Sequence, residues 1–228
     1  MSMRRLKREI QRQLARPDFK AVIPYFEALP GRKAVNPLLS LLLHPDERIR
    51  WHAVSAFGVV TAALADSDME SARIVMRRLM WHLNDESGGI GWGVPEAMGE
   101  SLARHSGLAD EFSKILLSYI LPGGNFLEHE ALQCGVLWGL RRLAGSRPNH
   151  LSGSGSSLMP FLKSAVALQR GLAAAIIGCI GHPEAGVLLN GLMDDCSPVR
   201  IYCRCQIQRR TVAALAASAL EKLEHSSG

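Results

Sequence analysis

Residues 34–64 read AVNPLLSLLLHPDERIRWHAVSAFGVVTAAL, and their spacing decides the fold class. A leucine-rich segment comes first, the turn HPDE follows, and a second periodic segment closes the stretch. In that second segment Ile49, Ala53, Ala56, Phe57, Val60 and Leu64 recur at helical spacing. At about 100° per residue they form one apolar stripe. Asp46 stands where an N-cap belongs, and Glu47 brings negative charge to the first turn. The stretch is predicted to be a helical hairpin.

The same unit recurs along the chain. RWHAVSAFG (Arg50–Gly58) aligns with GWGVPEAMG (Gly91–Gly99), so that Trp51 meets Trp92, Ala56 meets Ala97 and Gly58 meets Gly99, 41 residues apart. ALQCGVLWG (Ala131–Gly139) and RGLAAAIIG (Arg170–Gly178) are further copies. In all four a glycine falls at the same place on the second helix, where the lack of a side chain lets a neighbouring helix come close. A period of about 40 residues with two helices per unit is the signature of a helical repeat array. The expected fold is all-α, a right-handed α-solenoid of about five helical hairpins.

The segment PLLSLLLHPDERIRWHAVSAFG resembles a HEAT repeat of the PBS-lyase type, with leucines on the first helix, an acidic turn, then Ile-Arg and small residues on the second. The resemblance covers roughly residues 30–225. It implies a superhelix whose second helices line a concave face, and a ladder in which a turn Asp meets an Arg a few residues later. Asp46 with Arg50, and Asp195 with Arg200, match that pattern. Gly91 stands where the second repeat should carry its Arg, so the ladder is interrupted there. LNDESGGIGWGVPEAMGE is also similar to a segment of uncharacterised bacterial HEAT-like proteins, including those of sulfate reducers. The resemblance implies a fold and no particular activity.

On this reading residues 1–228 form one HEAT-like repeat domain. Residues 1–30 hold capping helices at 3–15 and 18–29, residues 31–182 the regular repeats, and residues 183–228 an irregular last repeat. The hairpins fall at about 34–64, 69–105, 108–145, 157–180 and 183–224. Gly145–Ser157 is rich in Gly and Ser and reads as a flexible loop. VRIYCRCQIQRR (Val199–Arg210) alternates β-branched and aromatic residues with polar ones, which predicts a short β-hairpin inserted near the C-terminus.

The bulk numbers narrow the class further. The chain has 228 residues, 47% of them hydrophobic, enough for a sizeable core. Its net charge of +5 is concentrated in RRLKREIQRQLAR (Arg4–Arg16). That surplus permits contact with nucleic acid or acidic partners without requiring it, and its plainer reading is a capping helix with a solvated face. No apolar run reaches the roughly 18–20 residues of a membrane span, and no apolar signal-peptide core follows the basic N-terminus. A cytoplasmic location with no membrane partner is expected. The five cysteines are irregularly spaced and form no disulfide framework, which fits a reducing compartment.

The glycines of GGIGWGVPEAMGE (Gly88–Glu100) interrupt an otherwise helical pattern. No strand precedes them and their spacing is neither GxGxxG nor a Walker loop, which excludes a nucleotide loop. The repeat alignment places them in the turn and at the entry of a second helix, as a mobile or tightly bent approach. Pro95 falls in the first turns, where a missing N–H costs little. On a helical wheel Val94, Ala97, Met98 and Leu102 make the apolar stripe. Trp92, Glu96, Gly99, Glu100 and Ala103 lie opposite. Trp51, with Ser55 beneath it, takes the place of Trp92 one repeat earlier. The candidate binding site is therefore Trp51, Ser55, Trp92, Glu96 and Glu100 on the concave face. The plainer alternative is that each indole packs between repeats as core.

Other chemistry is weak. The eight histidines show no HExxH or other ligand spacing, and there is no GxSxG elbow. Cys196, Cys203 and Cys205 with His182 lack the paired knuckles of a zinc site. No cofactor, metal or catalysis is expected. The expected function is a scaffold that binds a protein or peptide, with indoles and carboxylates suited to a basic segment. The alternative is binding of alkylated DNA in the manner of HEAT-like DNA glycosylases, a nucleic-acid partner that the scarcity of cations on the second helices makes the weaker choice.

Overall fold

The computed structural model describes residues 2–84 and 91–226. The chain divides into two compact units, Met1–Phe112 and Ser113–Gly228.

The first unit begins with α1 (Met3–Leu14), capped by the Ser2 side chain and buried along Leu6, Ile10 and Leu14. Residues 18–29, expected as one capping helix, are a 3₁₀ turn at Lys20–Val22 followed by α2 (Ile23–Glu27). Pro24 explains the break, because proline fits only the first turn of a helix and so fixes the start near Ile23. Then comes the predicted hairpin, α3 (Gly31–Leu41) and α4 (Glu47–Ser67). Asp46 caps α4 as expected, accepting from the backbone N–H of Arg48 (2.9 Å) and Ile49 (3.2 Å). The Ile49 N–H first, then that of Arg48, hold its carboxyl below the ordinary range against the opposing effect of burial. The next hairpin pairs α5 (Met69–Asn84) with α6 (Val94–Arg104). Leu38, Phe57, Met76, Leu79 and Met98 form the core of this unit. Each such side chain contributes about 1.5–3 kcal/mol by leaving water. His52 is buried with them, its Nδ1 2.8 Å from the Leu14 carbonyl oxygen and its ring against Phe19.

The first helices of this unit are tied side by side. Arg32 on α3 donates to Asp68 Oδ2 (2.6 Å) and Ser71 Oγ (2.8 Å) at the start of α5, and Arg78 on α5 donates to Asn36 on α3. Ser71 and Arg32 together lower the Asp68 carboxyl to about 2.

The division between units falls within α7 (Ser106–Ser118). In the second unit α8 (Glu130–Ser146) starts at His129, whose ring accepts from the Ala131 N–H at 3.2 Å. Gly145–Ser157, expected as a flexible loop, is structured: α8 runs on to Ser146, a 3₁₀ turn covers Pro148–Leu151, and α9 (Gly155–Leu158) follows. Leu151 and Leu158 explain the order, since both are buried and draw the segment onto the core. A further 3₁₀ turn, Met159–Lys163, leads to α10 (Ala167–Ile180), so short turns replace the first helix of this repeat. After α11 (Gly186–Asn190) come β1 (Pro198–Cys203), β2 (Gln206–Thr211) and α12 (Val212–Ser226). The strands pair antiparallel, Val199 opposite Arg210 and Cys203 opposite Gln206, as the alternation predicted. Arg204 and Cys205 make the two-residue turn, with φ of 51° and 65°.

Two buried amides join α8 to α10. Gln169 donates to Gln133 Oε1 at 2.9 Å, Gln133 donates to the Leu127 carbonyl at 2.7 Å, and Ser164 donates to Gln169 Oε1 at 2.6 Å. Trp138 on α8 donates its indole N–H to the Tyr202 carbonyl at 2.9 Å, pinning the β-hairpin. The expected pairing of Asp195 with Arg200 is not found. Asp195 is bound by Arg170, with Nη2 at 2.7 Å and Nε at 2.8 Å. Arg170 opens the fourth sequence copy, so it occupies the ladder position that Arg50 holds in the first. Arg200 lies on β1, opposite Arg209 in the strand register.

Candidate functional site

The glycines before α6 have two separate physical reasons. Gly93 has φ of +74°, a left-handed conformation that suits glycine, and it forms the N-cap of α6. Gly91 packs so closely on the end of α5 that a Cβ there would stand 2.9 Å from the His82 carbonyl oxygen. The entry is therefore tightly bent. Gly88 and Gly89 lie outside the described residues.

This bend moves Trp92. The helix begins at Val94, so Trp92 stands in the turn before it and the helical wheel does not apply to it. Its side chain is 38% exposed. Trp51, on the first turns of α4, is half-buried. The rest of the expected polar face is not a surface. Gly99, Glu100 and Ala103 are buried, because α6 packs against both α4 and α5 and is covered on two sides. Ser55 is buried too, at 3% exposure. Glu100 lies across Gly58 of α4 and accepts from Arg104 Nε at 2.8 Å. Of the expected five, Trp51, Trp92 and Glu96 retain exposure, whereas Ser55 and Glu100 sit within the packing of α4 and α6.

Glu96 is the unusual group. It occupies the first turn of α6, a half-buried residue whose Oε2 is sealed from solvent and lacks a hydrogen-bond partner. Burial pushes its carboxyl up to about 7; its own backbone N–H and the charge of Arg50 pull the other way without prevailing. Arg50 has no carboxylate at ion-pair distance among the described residues. Glu96 thus combines a raised carboxyl with the nearby charge of Arg50, four residues after the exposed indole of Trp92. Arg50, expected to pair with Asp46, instead lends its charge to Glu96, while Asp46 caps α4. Its place one residue before Trp51 was the available signal.

The charge of this layer is mixed. Helices α4 and α6 together carry three Lys/Arg and four Asp/Glu. Among the described residues no cluster of three or more His, Cys, Asp or Glu is arranged to hold a metal ion, and all five cysteines are unbridged. No helix of the described residues is long and apolar enough to cross a membrane.

No family model matches the sequence. A 65-residue stretch is 38% identical to an uncharacterised protein of Archaeoglobus fulgidus, covering 28% of this chain and 32% of that protein, so the match spans about a third of the relative's length. Among solved structures, an engineered protein aligns over 99% of this chain and 98% of its own, with a TM-score of 0.56 and 13% identity. A designed armadillo repeat protein in complex with the peptide (KR)4 aligns over 94% and 98%, with a TM-score of 0.54 and 15% identity. Computationally designed armadillo repeat proteins for modular peptide recognition align over the same shares, with a TM-score of 0.52 and 16% identity. At these identities the likeness is one of fold: an all-α helical repeat fold of the armadillo kind, with a small β-hairpin near the C-terminus.

Proposed function

We propose that this protein is a non-catalytic repeat scaffold that binds a protein or peptide segment bearing a basic residue, at Trp51, Trp92 and Glu96 in the first unit. The observation that carries the reading is the exposed Trp92 in the turn that leads into α6, whose first turn holds the half-buried Glu96. A lysine or arginine brought over the Trp92 indole makes a cation–π contact of about 0.5–2 kcal/mol, and the exposed side of Glu96 gives it an acidic neighbour. Arg50, whose charge reaches Glu96, takes a carbonyl or carboxylate of the same segment. Glu100 and Ser55 act from behind, fixing α6 against α4. The peptide (KR)4 bound by a structurally similar designed protein supports the basic character of the partner. The mixed charge of α4 and α6 supports a peptide over alkylated DNA, whose phosphates need a cationic groove. The assignment of the repeats to the HEAT type rests on the 41-residue offset and the Asp46 turn, and a cytoplasmic setting is supported by the unbridged cysteines.

The test is a titration of the protein with a fluorescent (KR)4 peptide. Binding that weakens at least tenfold in both Trp92→Ala and Glu96→Gln is expected. Equal affinity of wild type and both variants would sink the assignment.

A further inference from the structure

The first helices of the first unit carry a different surface. Helices α1, α3 and α5 together hold ten Lys/Arg against two glutamates, whereas α4 and α6 are near balance. The whole chain has a net charge of only +5, so the positive charge is gathered onto one layer of one unit. Several of these cations are already used. Arg12 pairs with Glu9, Arg32 with Asp68, and Arg73 and Arg77 with Glu70 and Glu111. Arg4, Arg5, Lys7, Arg8, Lys33 and Arg78 are exposed and have no carboxylate at ion-pair distance among the described residues.

Helix stability does not account for them. The N-terminal turn of a helix favours negative charge. Yet α1 opens with Arg4 and Arg5 and α3 with Arg32 and Lys33, and neither first turn holds an acid. These cations stand against the field of their own helices. On α5 an apolar pair accompanies the charge: Ile74 is 56% exposed and Trp81 74% exposed. They lie seven residues apart on the face that also holds Arg78, one turn from Trp81. Arg78 reaches Asn36, itself one turn from Lys33. Lys33, Arg78 and Trp81 therefore form a continuous strip across α3 and α5.

We propose that this strip, extended by the arginines of α1, binds single-stranded nucleic acid, with phosphates on Lys33, Arg78 and the α1 cations and a base stacked on Trp81. The charge calls for a polyanion. The indole narrows the choice, because unpaired bases present the flat faces that an exposed tryptophan stacks upon, and cations beside aromatics are the usual apparatus of single-strand binding. An anionic membrane suits the surface less well. The apolar side of α1, Leu6, Ile10 and Leu14, is buried in the core and leaves nothing to insert.

The experiment is fluorescence anisotropy of a labelled 30-nucleotide dT strand with the full chain, repeated across salt concentration. Binding at low salt is expected, with log K falling linearly in log salt. Lys33→Ala/Arg78→Ala should lower the slope by roughly 1.4, about 0.7 for each phosphate contact. Trp81→Ala should weaken the strand by about tenfold while leaving a duplex of the same length unchanged. Thermal melts of Trp81→Ala should match wild type, since the indole is exposed. Trp92→Ala should bind the strand normally, which separates this face from the peptide site. Four outcomes overturn the proposal: absence of binding at 50 mM salt, equal affinity for duplex and strand with no effect of Trp81→Ala, preference for anionic phospholipid vesicles, or preference for polyglutamate.

Discussion

Glu100 fills the space that a side chain on Gly58 would need. A Cβ at Gly58 would stand 2.5 Å from Glu100 Cγ and 3.0 Å from its backbone carbonyl carbon, so α4 and α6 approach at this pair as closely as a missing side chain allows. The second unit repeats the device: a Cβ at Gly178 of α10 would stand 2.6 Å from the Cα of Ala219 on α12. The recurring glycine of the second helices is thus a contact requirement at these two positions.

Gly58→Ala and Gly178→Ala should each destabilise the protein by about 1–3 kcal/mol, since a helix backbone must move to admit the methyl group. Gly145, at the end of α8, has nothing within 4 Å of its would-be Cβ. Gly145→Ala should stabilise by about 0.5–1 kcal/mol through lost backbone freedom in the unfolded chain. Chemical denaturation of the three variants checks the opposite signs.

Stability should fall with rising pH because of Glu96. Its carboxyl is raised from 4.5 to about 7 in the folded protein. The protonated form is therefore the one that folding favours. Its contribution is fully present below pH 4.5, is lost as pH rises through about 7, and is constant above. The loss amounts to at most about 3.5 kcal/mol, at roughly 1.4 kcal/mol per pH unit. Glu96→Gln should flatten that part of the stability profile. A profile unchanged by the substitution would mean that the carboxyl is not held neutral.

The tryptophans should separate by environment. Trp92 is 38% exposed, and Trp92→Ala should cost under about 1 kcal/mol. Trp138 is 3% exposed and its indole N–H donates to Tyr202, so Trp138→Ala should cost about 3–5 kcal/mol. Denaturant midpoints measured side by side give the comparison. A large loss at Trp92 would make it core and remove it from the proposed site.

The hairpin turn holds two non-glycine residues at positive φ, Arg204 and Cys205. Such a two-residue turn favours Asn-Gly. Arg204→Asn/Cys205→Gly should raise stability by about 1 kcal/mol, read as an increase in melting temperature.

Local features were legible in the sequence. The Asp46 cap, the 41-residue offset and the alternation of Val199–Arg210 each follow from a few neighbouring residues, and each has its counterpart in the fold. What could not be read depends on partners distant along the chain. The wheel of α6 treats one helix alone, so it cannot see that α4 and α5 cover Glu100 and Ala103. Asp195 meets Arg170, 25 residues before it, and not the nearer Arg200. Trp138 finds its acceptor 64 residues away. At the candidate site, residue types pointed to Glu96, but its sealed oxygen is a property of packing.

The amide pair Gln133–Gln169 bears on how such a chain avoids folding wrongly. Hairpins that resemble one another can stack out of order, because any apolar face accepts any other. Two buried amides that satisfy each other, the Leu127 carbonyl and Ser164 accept no such exchange. Docking α8 against the wrong helix would leave these groups dry and unmatched, at a cost of about 1–3 kcal/mol for each. The pair works as an address, written once in the second unit, that tells α8 which of its look-alike neighbours to join.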